Sequence, residues 1–87
     1  MKHYVALCDW AARFNGDPVV ARECHVIGVA HTLEEAKKIL AKASVDEKEY
    51  AYEHNWEIQE DSDICFCAGE KGNYDDEHAH FYIQEVV

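Results

Sequence analysis

Two short pairs of residues in the second half of the chain have the chemistry of a metal site. Cys65 and Cys67 are separated by one residue, and so are His78 and His80. On a β-strand, residues two apart project from the same face, so each pair would present two side chains together. Thiolates and imidazoles are preferred zinc ligands, and two of each complete a tetrahedral set. A Cys2His2 zinc site on a β-hairpin is therefore one hypothesis for this chain.

That zinc site depends on the alignment of two strands, 64–67 and 78–83. The alignment that would assemble it is given by four facing pairs: Ile64 with Phe81, Cys65 with His80, Phe66 with Ala79, and Cys67 with His78. Directly opposed side chains on one face lie close enough to share a cation. Known zinc fingers and ribbons usually separate paired ligands by two or more residues, however, and cysteine is also an ordinary small apolar residue. We therefore expect no cofactor and keep zinc as the alternative.

Acidic residues are concentrated in the same half of the chain, and the formal net charge is −10. Residues 1–44 carry five acidic and six basic residues, whereas residues 45–87 carry thirteen acidic and two basic residues. The negative electrostatic potential of so many acidic residues repels nucleic acid and anionic membranes and attracts cationic surfaces. We expect a protein partner with a basic surface, without direct contact to nucleic acid or membrane. The alternative is that these carboxylates only form a solvated, solubility-keeping face.

Tyrosines among these acids point to a surface that meets another protein, because tyrosine is enriched at interfaces. The predicted partner-binding residues are Glu60, Asp61, Asp63, Glu70, Tyr74, Asp75, Asp76, Glu77 and Tyr82. No acid, base and nucleophile stand in plausible mutual reach, so we predict no catalytic residue and do not expect an enzyme.

The elements that must position these residues are those of a small α+β domain. The pattern predicts strands at 3–12 and 19–30 around a turn at 15–18, a helix from the capping box Thr32–Glu35 to Ala43, strands at 56–60 and 64–67, a loop at 69–77 and a last strand at 80–86. We expect a mostly antiparallel sheet of four or five strands with one or two helices on one face, in the order β-β-α-β-β-β.

Residues 45–55 fit two patterns. Asp46 as an N-cap, with Glu49 three residues later, favours a helix that ends at Asn55. The alternation of Tyr50, Tyr52 and the aromatic and aliphatic residues after them is typical of a strand. We favour a helix before Asn55 and a strand from residue 56.

With 87 residues, the chain has room for one core, so residues 1–87 form a single domain. The apolar run at residues 4–8 is too short for a signal peptide or a membrane span. We therefore expect a cytoplasmic protein whose four cysteines are thiols.

The favoured hypothesis for function is a small acidic, non-enzymatic protein-binding module, such as an inhibitor or regulator that docks on a basic or nucleic-acid-binding surface. The alternative is the zinc-stabilised domain. An exposed edge strand, for instance at residues 80–86, could also pair with a second copy to give a homodimer.

Overall fold

The computed structural model describes residues 2–13, 20–73 and 77–87. In these residues the chain forms five strands and two helices. The strands are β1 (His3–Arg13), β2 (Val20–Ala30), β3 (Glu57–Asp61), β4 (Cys65–Gly69) and β5 (His78–Val86). The helices, α1 (Leu33–Ala43) and α2 (Val45–Glu53), lie between β2 and β3 in the chain. Neither helix has the length and apolarity needed to cross a membrane.

The strands form one antiparallel sheet in the order β2-β1-β5-β4-β3. The predicted α+β class, with helices on a mostly antiparallel sheet, is confirmed. Strand β5 lies at the centre, with β1 on one side and β4 on the other. The prediction that residues 80–86 form an edge strand was wrong for most of the strand, because β1 pairs with β5 along its whole length and β4 pairs with its residues 78–82. In the described chain the edges belong to β2 and β3.

The core lies between the helices and one face of the sheet. Its large side chains are Phe66, Phe81 and Leu40, each at most 3% exposed. Small residues surround them and allow the helices to approach the strands closely; the alanines of this cluster are Ala6, Ala51, Ala68 and Ala79. Gly28 serves the same purpose on β2, because a Cβ there would lie 3.2 Å from Ile39 Cγ2 on α1.

Helix α1 follows the usual rules for helix ends. The Thr32 hydroxyl accepts a hydrogen bond from Glu35 N at 3.2 Å, as the predicted cap requires. Acidic residues occupy the first turn and Lys42 occupies the last, so both ends complement the helix dipole.

Helix α2 begins earlier than predicted. The stretch is helical through Glu53, as we favoured, but the residue before the helix is Ser44 rather than Asp46. Only Ser44 separates the two helices, so Asp46 lies inside the first turn of α2. Its carboxylate is favourable there because the N-terminal end of a helix dipole is positive.

Ser44 is buried at the junction of the two helices, with 1% of its surface exposed. Its backbone continues the helical ladder, since Ser44 N donates to Leu40 O and Lys48 N donates to Ser44 O. Its side-chain Oγ, however, has no hydrogen-bond partner among the described residues. A buried hydroxyl without a partner costs stability, because it has lost its bonds to water.

We predict that Ser44→Ala stabilises the protein, by about 1 kcal/mol, because it removes this unpartnered hydroxyl. The melting temperature should rise by about 4–8 °C for a domain of this size. Thr32→Ala is the matched control: it also removes one hydroxyl, but one that caps α1, and it should lower the stability by about 1 kcal/mol. Thermal unfolding followed by circular dichroism measures both. A Ser44→Ala variant that melts lower than the parent would contradict this view of the helix junction.

Candidate functional site

The two cysteine and histidine pairs do lie on one face of the sheet, the face without helices, but their register differs from the one predicted. Cys67 lies opposite His80, and Cys65 lies opposite Tyr82. The predicted register was wrong by two residues, because Phe66 pairs with Phe81 in the core rather than with Ala79. His78 consequently faces Gly69, which has no side chain to offer.

The zinc prediction thereby loses the register on which it was based. Among the described residues, no group of three or more His, Cys, Asp or Glu side chains is arranged to hold a metal ion. All four cysteines are free thiols. Burial, together with the carboxylate of Glu60 and the neighbouring Cys67, raises the pKa of the Cys65 thiol to about 11. Burial likewise raises the pKa of the Cys8 thiol, to about 12. Both therefore favour the neutral thiol at physiological pH.

The same face also carries a row of three residues that was not predicted from the sequence. Cys67, His80 and Asp9 lie side by side on β4, β5 and β1. A thiol, an imidazole and a carboxylate in line are the groups of a nucleophilic site. Cys67 Sγ lies 3.5 Å from Gln59 Oε1, the His80 ring stacks on another ring, and Asp9 Oδ1 lies 3.6 Å from a nitrogen of His78. We therefore assign no nucleophile to this row.

The predicted acidic patch falls into two groups at opposite ends of β4. At the β3–β4 turn, Asp61 accepts a hydrogen bond from the Tyr52 hydroxyl at 2.6 Å and pairs with Lys48 Nζ at 3.2 Å. The Tyr52 hydrogen bond, together with Lys48, lowers the pKa of the Asp61 carboxyl. Asp63 pairs with Lys37 Nζ at 3.2 Å, and Glu60 accepts from the hydroxyl of the turn serine at 3.1 Å. This end of the patch is therefore largely neutralised by its own neighbours.

The other group lies at the far end of β4, where Glu70 follows the strand and Glu77 precedes β5. The Glu70 carboxylate accepts from Asn73 Nδ2 at 3.4 Å. Three more predicted residues, Tyr74, Asp75 and Asp76, lie outside the described residues. Tyr82 is separate from both groups: it lies on the helix-free face and stacks on His80 with ring centroids 4.5 Å apart.

A cavity of about 300 Å³ opens at the end of the sheet near Glu77. It lies between the end of β1, the start of β5 and helix α2. The residues that line it are Trp10, Ala11, Ala12, Glu47, Tyr50, Trp56, Glu77, His78 and Ala79. Three aromatic rings form much of its wall, and two carboxylates accompany them. Both tryptophans of the chain are included.

The turn after α2 brings the aromatic residues to this cavity. Asn55 has a φ of 56°, a left-handed conformation that asparagine tolerates better than most residues. Asn55 N then donates to Tyr52 O at 3.3 Å, and Trp56 N donates to Ala51 O at 2.9 Å. This pair of bonds is a Schellman motif, in which the second residue past the helix end commonly packs back on the last turns.

That return contact is made by Trp56 on Tyr50. The two rings meet edge to face, with centroids 5.3 Å apart and planes at 77°. The Tyr50 ring also stacks on His54, with centroids 3.8 Å apart, and His54 Nδ1 is 2.9 Å from Tyr50 O. The Tyr50 ring is thus fixed between two neighbours although 48% of the residue is exposed. Such packing prepares a rigid wall before any ligand arrives.

This cavity was not predicted from the sequence. There Tyr50 is only part of a strand-like alternation, and Trp10 and Trp56 only fall within the predicted strands 3–12 and 56–60. The available signal was Asn55 placed directly after a helix and before a tryptophan, which is typical of a C-terminal helix turn with an apolar return contact. Trp10 could not be added from sequence, because its position beside α2 depends on long-range strand pairing.

No protein-family model, no curated protein and no solved structure matches this chain.

We predict that Asn55→Gly leaves stability nearly unchanged, because glycine adopts a positive φ freely. Asn55→Val should destabilise the protein by about 1–2 kcal/mol, because a β-branched residue resists that conformation. The valine variant should also change the tryptophan emission spectrum, because Trp56 would lose its contact with the Tyr50 ring. Thermal melts and intrinsic fluorescence measure both effects. Equal melting temperatures for the glycine and valine variants would refute the role given to this turn.

Proposed function

We propose that this protein is a small acidic, non-enzymatic module that binds a basic surface of a partner protein through helix α2 and the neighbouring end of the sheet. The observation that carries the proposal is an uncompensated acidic stripe on α2. Asp46, Glu49 and Glu53 recur at i, i+3 and i+7, so they project from one side of the helix. All three are exposed.

Two residues of the stripe, Glu49 and Glu53, are unfavourable for the helix that carries them, whereas Asp46 lies in the first turn, where the helix dipole favours it. Carboxylates three or four residues apart on a helix repel each other, by about 0.2–0.5 kcal/mol per pair. Glu53 is the last residue of α2, where the helix dipole is negative, and the last turn contains no basic residue. In the part of the chain that the structure describes, none of the three carboxylates forms an ion pair. Residues that violate the usual charge preferences of a helix, with no compensating contact in the protein, are typical of functional sites.

Other carboxylates of the protein provide the contrast. Glu34 pairs with Lys37 at 3.3 Å, Glu85 pairs with Lys2 at 3.1 Å, and Asp61 pairs with Lys48. These three carboxylates are thus balanced by lysines within the chain. A basic protein surface is the partner chemistry that would balance the α2 stripe in the same way.

The aromatic cavity lies beside the stripe, since Glu47 and Tyr50 occupy the next row of α2. Interfaces commonly combine a buried aromatic centre with a charged rim. An acidic rim around an aromatic centre favours a cationic protein surface over nucleic acid, whose phosphates the carboxylates would repel. An inhibitor or regulator that covers a nucleic-acid-binding surface of its partner is one form of this function.

The proposal predicts that binding weakens with salt and with reversal of the stripe. Proteins retained from extract of the native host would be identified, and the strongest binder purified and titrated by calorimetry. We expect the Kd of the parent to rise about tenfold or more between 50 and 300 mM salt, because exposed charges are screened. The double variant Glu49→Lys/Glu53→Lys should weaken binding by about tenfold or more at low salt.

The matched control is Glu34→Lys/Glu85→Lys, which makes the same change in net charge. Both carboxylates are already paired with lysines. Glu85 lies opposite Tyr4, about 20 Å along β1 from Trp10 by strand geometry. This variant should bind within about threefold of the parent, because long-range charge effects are screened. Binding that ignores salt, or that both double variants weaken equally, would contradict a surface centred on α2.

A further inference from the structure

We propose that the aromatic cavity receives a single arginine side chain from the partner's basic surface. This inference rests on the proposed function and specifies its anchor. A cavity of about 300 Å³ is at the small end of pockets that hold organic ligands, which favours one extended side chain over a larger element. Three of the lining residues, Ala11, Ala12 and Ala79, have small side chains that leave space for a ligand.

The walls suit a cation that is also flat. Trp10, Tyr50 and Trp56 present indole and phenol rings, and aromatic faces attract cations, with tryptophan the strongest. A guanidinium group can stack on such a ring while its N–H groups remain free in the plane. A lysine ammonium offers the charge without this stacking surface.

The carboxylates at the cavity also favour an arginine side chain. Glu47 and Glu77 both line it, and both are partly buried. A guanidinium has five N–H donors in a fixed plane, so it can bond carboxylates while its face remains on a ring. An uncharged aliphatic side chain would cover the Glu47 carboxylate without replacing its bonds to water, which is unfavourable. An acidic side chain would be repelled.

The protein carries its own reporter for this test. Its two tryptophans, Trp10 and Trp56, both line the cavity, so both indole N–H signals report on occupancy. The probe is the capped peptide Gly-Gly-Arg-Gly-Gly, titrated into the 15N-labelled protein at 150 mM salt. The matched probes are the same peptide with citrulline, which keeps the shape without the charge, and with lysine, which keeps the charge without the plane.

We expect both indole signals to shift with the arginine peptide. Apparent affinity should be lower with lysine and at least about tenfold lower with citrulline, because the charge and its stacking are lost. In the protein, Glu47→Gln should weaken arginine binding about tenfold, whereas Glu34→Gln, at the start of α1, should leave it unchanged. Unchanged melting temperatures and unchanged backbone amide spectra for both variants would exclude a folding defect.

Two outcomes would overturn the inference. If citrulline binds as well as arginine, the cavity does not select charge. If the peptide shifts amides of Asp46, Glu49 and Glu53 while both indoles stay fixed, binding occurs on the stripe alone. In that second outcome the arginine anchor fails, yet the proposed acidic binding surface stands, so the two proposals are separately tested.

Discussion

The structure depends on the pairing of strand β5 with β1 on one side and β4 on the other. Phe81 is the centre of this arrangement, because it lies opposite Cys8 on β1 and opposite Phe66 on β4. All three are at most 3% exposed, so this row joins three strands beneath the helices. Side chains alternate between the two faces along a strand. The position of Phe81 in the core therefore also decides which face each neighbouring side chain of β5 points to. Ala79 then faces the helices beside Trp10, while His80 faces away from them.

Helix α2 and the neighbouring end of the sheet carry two adjacent features, the aromatic cavity and the acidic stripe. The Schellman turn at Asn55 returns the chain so that Trp56 contacts Tyr50, and the β5 register supplies the opposite wall of the cavity. Beside it, α2 carries Glu49 and Glu53, which the stability of the helix does not favour. The two helices differ instructively here: α1 has acids in its first turn and a lysine in its last, whereas α2 has acids at both ends. We attribute that difference to the proposed partner rather than to folding.

Local patterns predicted much of this fold, and long-range pairing supplied what they could not. The Thr32 cap, the apolar stripe of α1 and the alternating strands are short-range signals, and they yielded the α+β class. The position of β5 in the sheet and its register with β4 depend on which apolar pair meets in the core. Ile64 seemed a suitable partner for Phe81, but it is 44% exposed, and the fully buried Phe66 takes that place. That shift of two residues separates the predicted zinc ligands, and the same long-range pairing brings Trp10 to α2.

The first measurement to make is therefore the register between β4 and β5. Backbone nuclear Overhauser effects in the folded protein report it. Directly opposed residues of antiparallel strands have Cα atoms about 4.5–5.5 Å apart, and the closer pairs give strong Hα–Hα signals. We expect cross-strand contacts of Phe66 with Phe81 and of Cys67 with His80. Contacts of Phe66 with Ala79 and of Cys67 with His78 would contradict this register, and would instead restore the alignment that a Cys2His2 zinc site requires.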